Sequence, residues 1–184
     1  FDSPTLVAKL NEAFSSLENP DTPRPLTPYE PDRLSDTKVF IQTDKELTRS
    51  SLQFISHIDW SWSESRDAYR TRTIEGLFYS MANQRLQAVG QQPDSPFLGA
   101  SVSKSSISAQ SAFESLYLRP KPGKMLSGFR HLMTEVERWH RHGFVDLELD
   151  RAKQQLLRRM EALVLERDKT SSRRHVEELK RHFI

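Results

Sequence analysis

Six histidines, 25 acidic side chains and no cysteine set the range of chemistry open to this 184-residue chain. The missing cysteines remove disulfides, thiolate zinc sites and thiol nucleophiles together, and assign no compartment. The densest histidine group is His140-Arg141-His142. Residues i and i+2 of a helix lie on different faces, so these two rings cannot share one ion, and the expected reading is a solvated helix end that complements the C-terminal dipole. His57 shares a strand face with Gln53 and Asp59 and reads as a polar strand residue rather than a general base. His131 borders an apolar stripe and reads as a boundary side chain. His175-Val176-Glu177-Glu178-Leu179 approaches H-x-x-E-H, the pattern that sets two histidines and a catalytic glutamate around zinc on one helical face. Leu179 stands where the second histidine belongs, and His182 is too far along the helix to replace it.

The acidic pairs Asp44/Glu46, Glu135/Glu137 and Glu177/Glu178 are each set among Lys, Arg or His. General acid/base work needs one member of a pair in a poorly solvated pocket, and surface charge pairing is expected for all three. Ser101 to Ser108 is rich in serine but holds no G-x-S-x-G elbow, and no glycine-rich phosphate loop occurs anywhere. No catalytic, cofactor-binding or metal-ligating residue is therefore assigned to this chain.

With 27 basic and 25 acidic residues the net charge is +2, too small for whole-molecule attraction to nucleic acid or anionic lipid. Any basic function must be local. Arg158-Arg159 and Arg173-Arg174 are interleaved with Glu161, Glu166, Asp168, Glu177 and Glu178, a pattern of ion pairs on helix surfaces, so no nucleic-acid partner is expected. No apolar run approaches the roughly 18 residues that span a bilayer, and no membrane association is expected. Phe1-Asp2-Ser3-Pro4 lacks the order of a signal peptide, and the chain reads as a piece of something longer.

These residues hang on elements that the spacing predicts. Ser3 and Pro4 open a short helix whose stripe is Leu6, Leu10, Phe14 and Leu17. Prolines from Pro20 to Pro31 make residues 20–36 a surface connector within a single domain over 1–184. Val39-Phe40-Ile41 is expected as a short strand paired antiparallel with the run Leu52 to Trp60. Ile74, Leu77, Phe78, Met81, Ala82, Leu86 and Val89 mark a half-buried helix between Arg66 and Val89. Phe97 to Lys104 and Ala109 to Leu118 read as strands, with Leu98, Ala100 and Val102 on one face of the first and Ala112, Leu116 and Leu118 on one face of the second. Met125, Phe129, Leu132, Val136 and Trp139 mark the next helix, which Gly143 stops. Asp146 is expected to cap a helix with the stripe Leu149, Ala152, Leu156, Met160 and Leu163, and Ser171 or Ser172 a last one carrying Val176, Leu179 and Phe183. The order predicts an α+β fold, an antiparallel sheet with helices packed mainly on one face.

Three stretches in this order resemble the second, non-catalytic domain of the pitrilysin/insulinase-type zinc peptidases, the inverzincins. They are the helix text Arg70 to Leu86, ending Met81-Ala82-Asn83-Gln84-Arg85-Leu86; the strand Phe97-Leu98-Gly99-Ala100; and the turn and helix start Gly143 to Lys153. The resemblance implies an inactive domain that packs against a catalytic domain, of the same polypeptide or a partner subunit, and helps enclose a chamber for peptide substrates. Zinc is then expected in the catalytic domain of the parent metalloendopeptidase and no cofactor in this chain. Some family members hold substrate with an arginine and a tyrosine of such a domain. Here Arg85 stands in the helix phrase but Phe97 falls near the tyrosine's place, so no direct substrate role is expected. The alternatives are a catalytically inert assembly subunit related to the same family, and an independent enzyme using His57 and nearby acids. The resemblance admits the bacterial periplasm and the cytoplasm alike.

Overall fold

A computed structural model describes residues 2–18, 20–22, 24–25, 32, 34–60, 63, 65–108 and 111–183, with the backbone alone for 181–183. Its contacts divide the chain into two units, Phe1–Glu30 and Pro31–Ile184. The first contains α1, Ser3–Phe14, where Pro4 occupies the first turn and needs no backbone donor. Asp2 rather than Ser3 precedes the helix as its cap residue and accepts the Thr5 hydroxyl at 2.5 Å. Much of the connector expected over 20–36, including Pro23, Pro28 and Pro31, lies outside the described residues.

The second unit follows the order β1 (Leu52–Asp59), α2 (Arg66–Gly90), β2 (Phe97–Ser106), β3 (Ser111–Pro120), α3 (Met125–His142), α4 (Asp146–Leu165), a 3₁₀ turn at Arg167–Lys169 and α5 (Ser172–Phe183). The strands form one antiparallel sheet in the order β1-β3-β2. This is the α+β arrangement that the alternation of periods predicts. One strand differs. Val39-Phe40-Ile41 forms no strand, its three side chains are 77%, 89% and 86% exposed, and the partner of β1 is β3. Three consecutive apolar residues satisfy a strand pattern locally, but a strand is made by its ladder, and β1, at the edge of the sheet, makes its ladder with β3 rather than with this nearer run.

Paired residues of an antiparallel ladder share a face. Leu52, Phe54 and Ile58 of β1 therefore join Ala112, Leu116 and Leu118 of β3 and Ala100 and Val102 of β2 under the helices. Leu86, Val89, Phe97, Leu118 and Leu132 make the buried core, with Leu52, Ala100, Leu116, Phe129 and Trp139 packed around it. Phe54 stacks on Phe129 with ring centroids 5.5 Å apart, which seats α3 on the sheet.

The face expected for β2 is corrected by a bulge. Register shifts between Phe97 and Gly99, so Leu98 leaves the helical side and is 52% exposed, while Phe97 enters the core and is fully buried. An extra residue on one strand reverses the alternation at that point.

Helix ends follow local chemistry. The Ser65 hydroxyl caps α2 by accepting the Ala68 N–H at 3.1 Å. Gly143, at φ +64°, ends α3 where an L side chain would be strained. Asp146 is the first residue of α4 and not its cap. Of the α4 stripe only Ala152 is buried; Met160 is 40% exposed, and Leu157 and Val164 beside it are more so.

Deleting the buried side chain of Leu132 (Leu132→Ala) is expected to cost about 2–5 kcal/mol in a urea melt. Phe40→Ser, at a position the sequence pattern places in a sheet, is expected to change stability by less than about 0.5 kcal/mol in the same measurement.

Candidate functional site

One turn of α2, Ala82 to Leu86, carries most of the polar geometry. Ala82 and Leu86 are fully buried, which turns the intervening side chains toward the flanks of the helix. The Asn83 carboxamide donates to the Val102 carbonyl at 2.8 Å and accepts the Val102 N–H at 3.0 Å. It occupies the place of a neighbouring strand on the outer edge of β2, satisfying two backbone groups that an edge strand leaves open.

Arg85 projects toward the turn between α3 and α4. Its Nε and Nη2 donate to the two carboxylate oxygens of Glu148 at 2.5 and 2.6 Å, and its Cζ lies 4.5 Å from the centre of the Phe144 ring. Glu148 also accepts the Val145 N–H at 2.9 Å, closing the first turn of α4. Phe144 in turn meets Phe78 edge-on at 5.8 Å and stacks against Trp139 at 6.5 Å. The hydrogen bonds from Arg85 hold the Glu148 carboxyl below the usual range against the opposing effect of burial, and the same bonds raise Arg85.

A second polar group lies toward the other end of α2. Lys104 Nζ donates to both oxygens of Glu75 at 2.8 and 2.9 Å and sits 4.8 Å over the Trp60 ring. Tyr79 donates to Glu114 at 2.7 Å. Burial, with that hydrogen bond second, pushes its phenol well above the usual range, so Tyr79 stays protonated as a donor.

The residues singled out by sequence are dispersed. His57 lies on the face of the sheet opposite the helices, with Nε2 2.7 Å from Ser111 Oγ, and Gln53 reaches Ser115 on the same face at 2.7 Å. A histidine beside a serine hydroxyl has the look of nucleophilic catalysis, but Ser111 is fully buried and offers no approach to a substrate. These bonds join β1 to β3. His131 is half-buried, edge-on to Phe97 at 6.0 Å. His140 and His142 are exposed in the last turn of α3, where Arg141 pairs with Glu137. His175, Glu177 and Glu178 are exposed on α5, and the side chain of His182 lies outside the described residues. Among the described residues no three His, Asp or Glu side chains are grouped as metal ligands. No helix there is long and apolar enough to cross a membrane.

One expectation is overturned. Glu135 is not a surface acid: it is 4% exposed and accepts from Arg138 at 2.8 Å. Its place three residues beyond Leu132 and four before Trp139 puts it within the apolar stripe, a signal the sequence does carry. Phe97, compared above with a substrate-holding tyrosine, is core. Asp44 turns its carboxylate onto the Glu46 N–H at 2.8 Å, an Asx turn rather than half of an acid pair.

A depression of about 530 Å³ beside this turn of α2 is lined by Arg85, Glu135, Arg138 and His142 among others. Arg85 is engaged with Glu148 and Arg138 with Glu135, so its charges are internally matched. The arrangement holds α2 to its neighbours; it does not assemble an acid, a base and a nucleophile around a vacant point.

No family model matches the sequence, and no curated protein matches it. Three solved structures match in fold. The periplasmic protease PqqL from Escherichia coli superposes with a TM-score of 0.75 at 19% identity over 98% of this chain and 20% of its own. A structure of the first half of PqqL gives 0.74 at 19% identity, over 97% and 38%. A predicted insulinase family protease from Yersinia pestis gives 0.70 at 15% identity, over 98% and 39%. The chain thus has an insulinase-like fold and spans a fifth to two-fifths of the chains it matches.

Removing the carboxamide (Asn83→Ala) strands both Val102 groups and is expected to cost about 1–3 kcal/mol in a denaturant melt. Glu148 has a folded-state pKa depressed by Arg85, so its contribution is present above the unfolded value, about 4.3, and is lost as pH falls through the folded value. The stability gap between the unmodified chain and Glu148→Gln is therefore expected to be widest near neutrality and to narrow in melts at progressively lower pH.

Proposed function

We propose that this chain is the non-catalytic second domain of an insulinase-type zinc metalloendopeptidase. In this reading it packs against the catalytic domain and forms part of the wall that encloses peptide substrates. The observation that carries it is the fold likeness across 98% of the chain to a protease, of whose own chain it covers 20%. A domain of a larger enzyme must also present surface for its neighbours. Apolar side chains stand uncovered along α4 at Leu157, Val164 and Leu165, and on α5 at Val176 and Leu179. The same holds for α1 within its own unit, where Leu6, Leu10 and Phe14 are 45%, 47% and 58% exposed.

The site geometry supports a non-catalytic role. His140 and His142 stand on one exposed helix end and His175 on another helix. Ser111 is inaccessible beside His57. Arg85, which stands in the family-like helix phrase, is committed to Glu148. Hydrolysis then falls to the domain that carries the zinc, and the contribution of this one is geometric: shape, and a fixed orientation of helices against the partner.

The isolated 184-residue chain is expected to show no stoichiometric zinc by plasma mass spectrometry and to leave fluorogenic peptides uncut. The parent protein is expected to cut them and to stop on chelation. Zinc bound one-to-one by the isolated chain, with cleavage lost in His175→Ala, overturns the reading. A parent without zinc or cleavage replaces it with the inert assembly subunit.

A further inference from the structure

The net charge of +2 is not spread evenly over the surface. A cleft of about 410 Å³ between the Thr48–Ser50 approach to β1 and the end of β3 is lined by Arg49, Arg119 and Lys121, and by no acid. Neither Arg49 nor Arg119 makes an ion pair with a described residue. Elsewhere in the unit, Arg85, Lys104, Arg138 and Arg141 each have a carboxylate.

Like charges gathered in one concavity repel one another, and the backbone here gives them little freedom to separate. Arg119 is paired in the ladder opposite Gly99, and the Lys121 N–H is bonded to the Pro96 carbonyl at 3.0 Å. Pro120 and Pro122 fix φ on either side of Lys121. Residues two apart on an extended chain point to the same side, which directs Arg119 and Lys121 together. Among the described residues, Lys121 Nζ meets the Pro93 carbonyl at 3.4 Å, a neutral acceptor. Thr48 and Ser50 add hydroxyls to the lining. Through Gly123 the cleft adjoins a second depression, whose charged or titratable residues are Lys124, Arg130 and His131, again with no acid.

We propose that the cleft of Arg49, Arg119 and Lys121 is a binding site for a compact oxyanion with at least two negative charges, borne on phosphate or on clustered carboxylates. Two guanidinium forks and an ammonium supply bidentate and point-charge contacts, and the hydroxyls supply neutral donors. The site is independent of the peptidase reading, since it needs only this unit of the chain.

The test is calorimetric titration of the full 184-residue chain with pyrophosphate and, separately, with citrate. Saturable one-to-one binding is expected for at least one of them, weakening as salt is raised to about 0.2 M. The variant Arg49→Glu/Arg119→Glu is expected to lose at least about tenfold in affinity, and Arg119→Gln a smaller part of it. Both arginines are exposed, so melting temperature and circular dichroism should be unchanged. The control Arg158→Glu/Arg159→Glu, on α4, should bind as the unmodified chain does. Tighter pyrophosphate assigns the site to phosphate, and tighter citrate to carboxylates. An equal loss in the control, or no saturable binding of either probe below about 10 mM, overturns the proposal.

Discussion

A bidentate ion pair between Arg85 and Glu148, 63 residues apart in sequence, ties α4 to α2 within the helical layer. Both side chains are about four-fifths buried, at 21% and 23% exposure, so each charge depends on the other for the solvation it has given up. The pair does more than match charge. Glu148 closes the first turn of α4 through the Val145 N–H, and Arg85 lies over Phe144, which packs against Phe78 and Trp139. One contact therefore joins the first turn of α4, and the Phe144 that precedes it, to α2. An arginine so engaged is a structural element of the helical layer.

Two residues earlier, Asn83 performs the matching task toward the sheet. A strand at an edge exposes backbone donors and acceptors that invite another chain, and the carboxamide closes that opportunity at Val102. Since Leu86 fills the core from the same turn, α2 is tied in three directions at once: to the strand edge, to the core and to the α3–α4 turn. The long helix is thus the element to which the rest is referred. On the opposite face of the sheet, small polar bonds, Gln53 to Ser115 and His57 to Ser111, supplement the β1–β3 ladder.

Away from this centre, apolar groups are left in water. Leu157, Val164 and Leu165 of α4 and Val176 and Leu179 of α5 are exposed, and Val39, Phe40 and Ile41 stand clear of the ladder. Exposed single apolar residues are common, but successive turns of helix with the same face uncovered amount to unused hydrophobic free energy. Under the proposed reading, a neighbouring domain would cover them. The basic cleft at the end of β3 is a different kind of surplus, one of charge rather than apolar area.

What the sequence determined by itself was local. Periodicity placed α2, α3, β2 and β3, Gly143 marked the end of a helix, and the alternation of elements led to an antiparallel sheet covered by helices, because these depend on residues within a turn or two of one another. Tertiary structure decided what depends on distant partners. The ladder of β1 went to β3 and left Val39-Phe40-Ile41 aside; the bulge exchanged Leu98 for Phe97 in the core; Glu135 was buried against Arg138; Arg85 and Asn83 acquired their roles from Glu148 and Val102. Strand order, register and long-range charge pairing are settled by competition among many pairings of similar local merit, and only the assembled core supplies the energy difference that selects one.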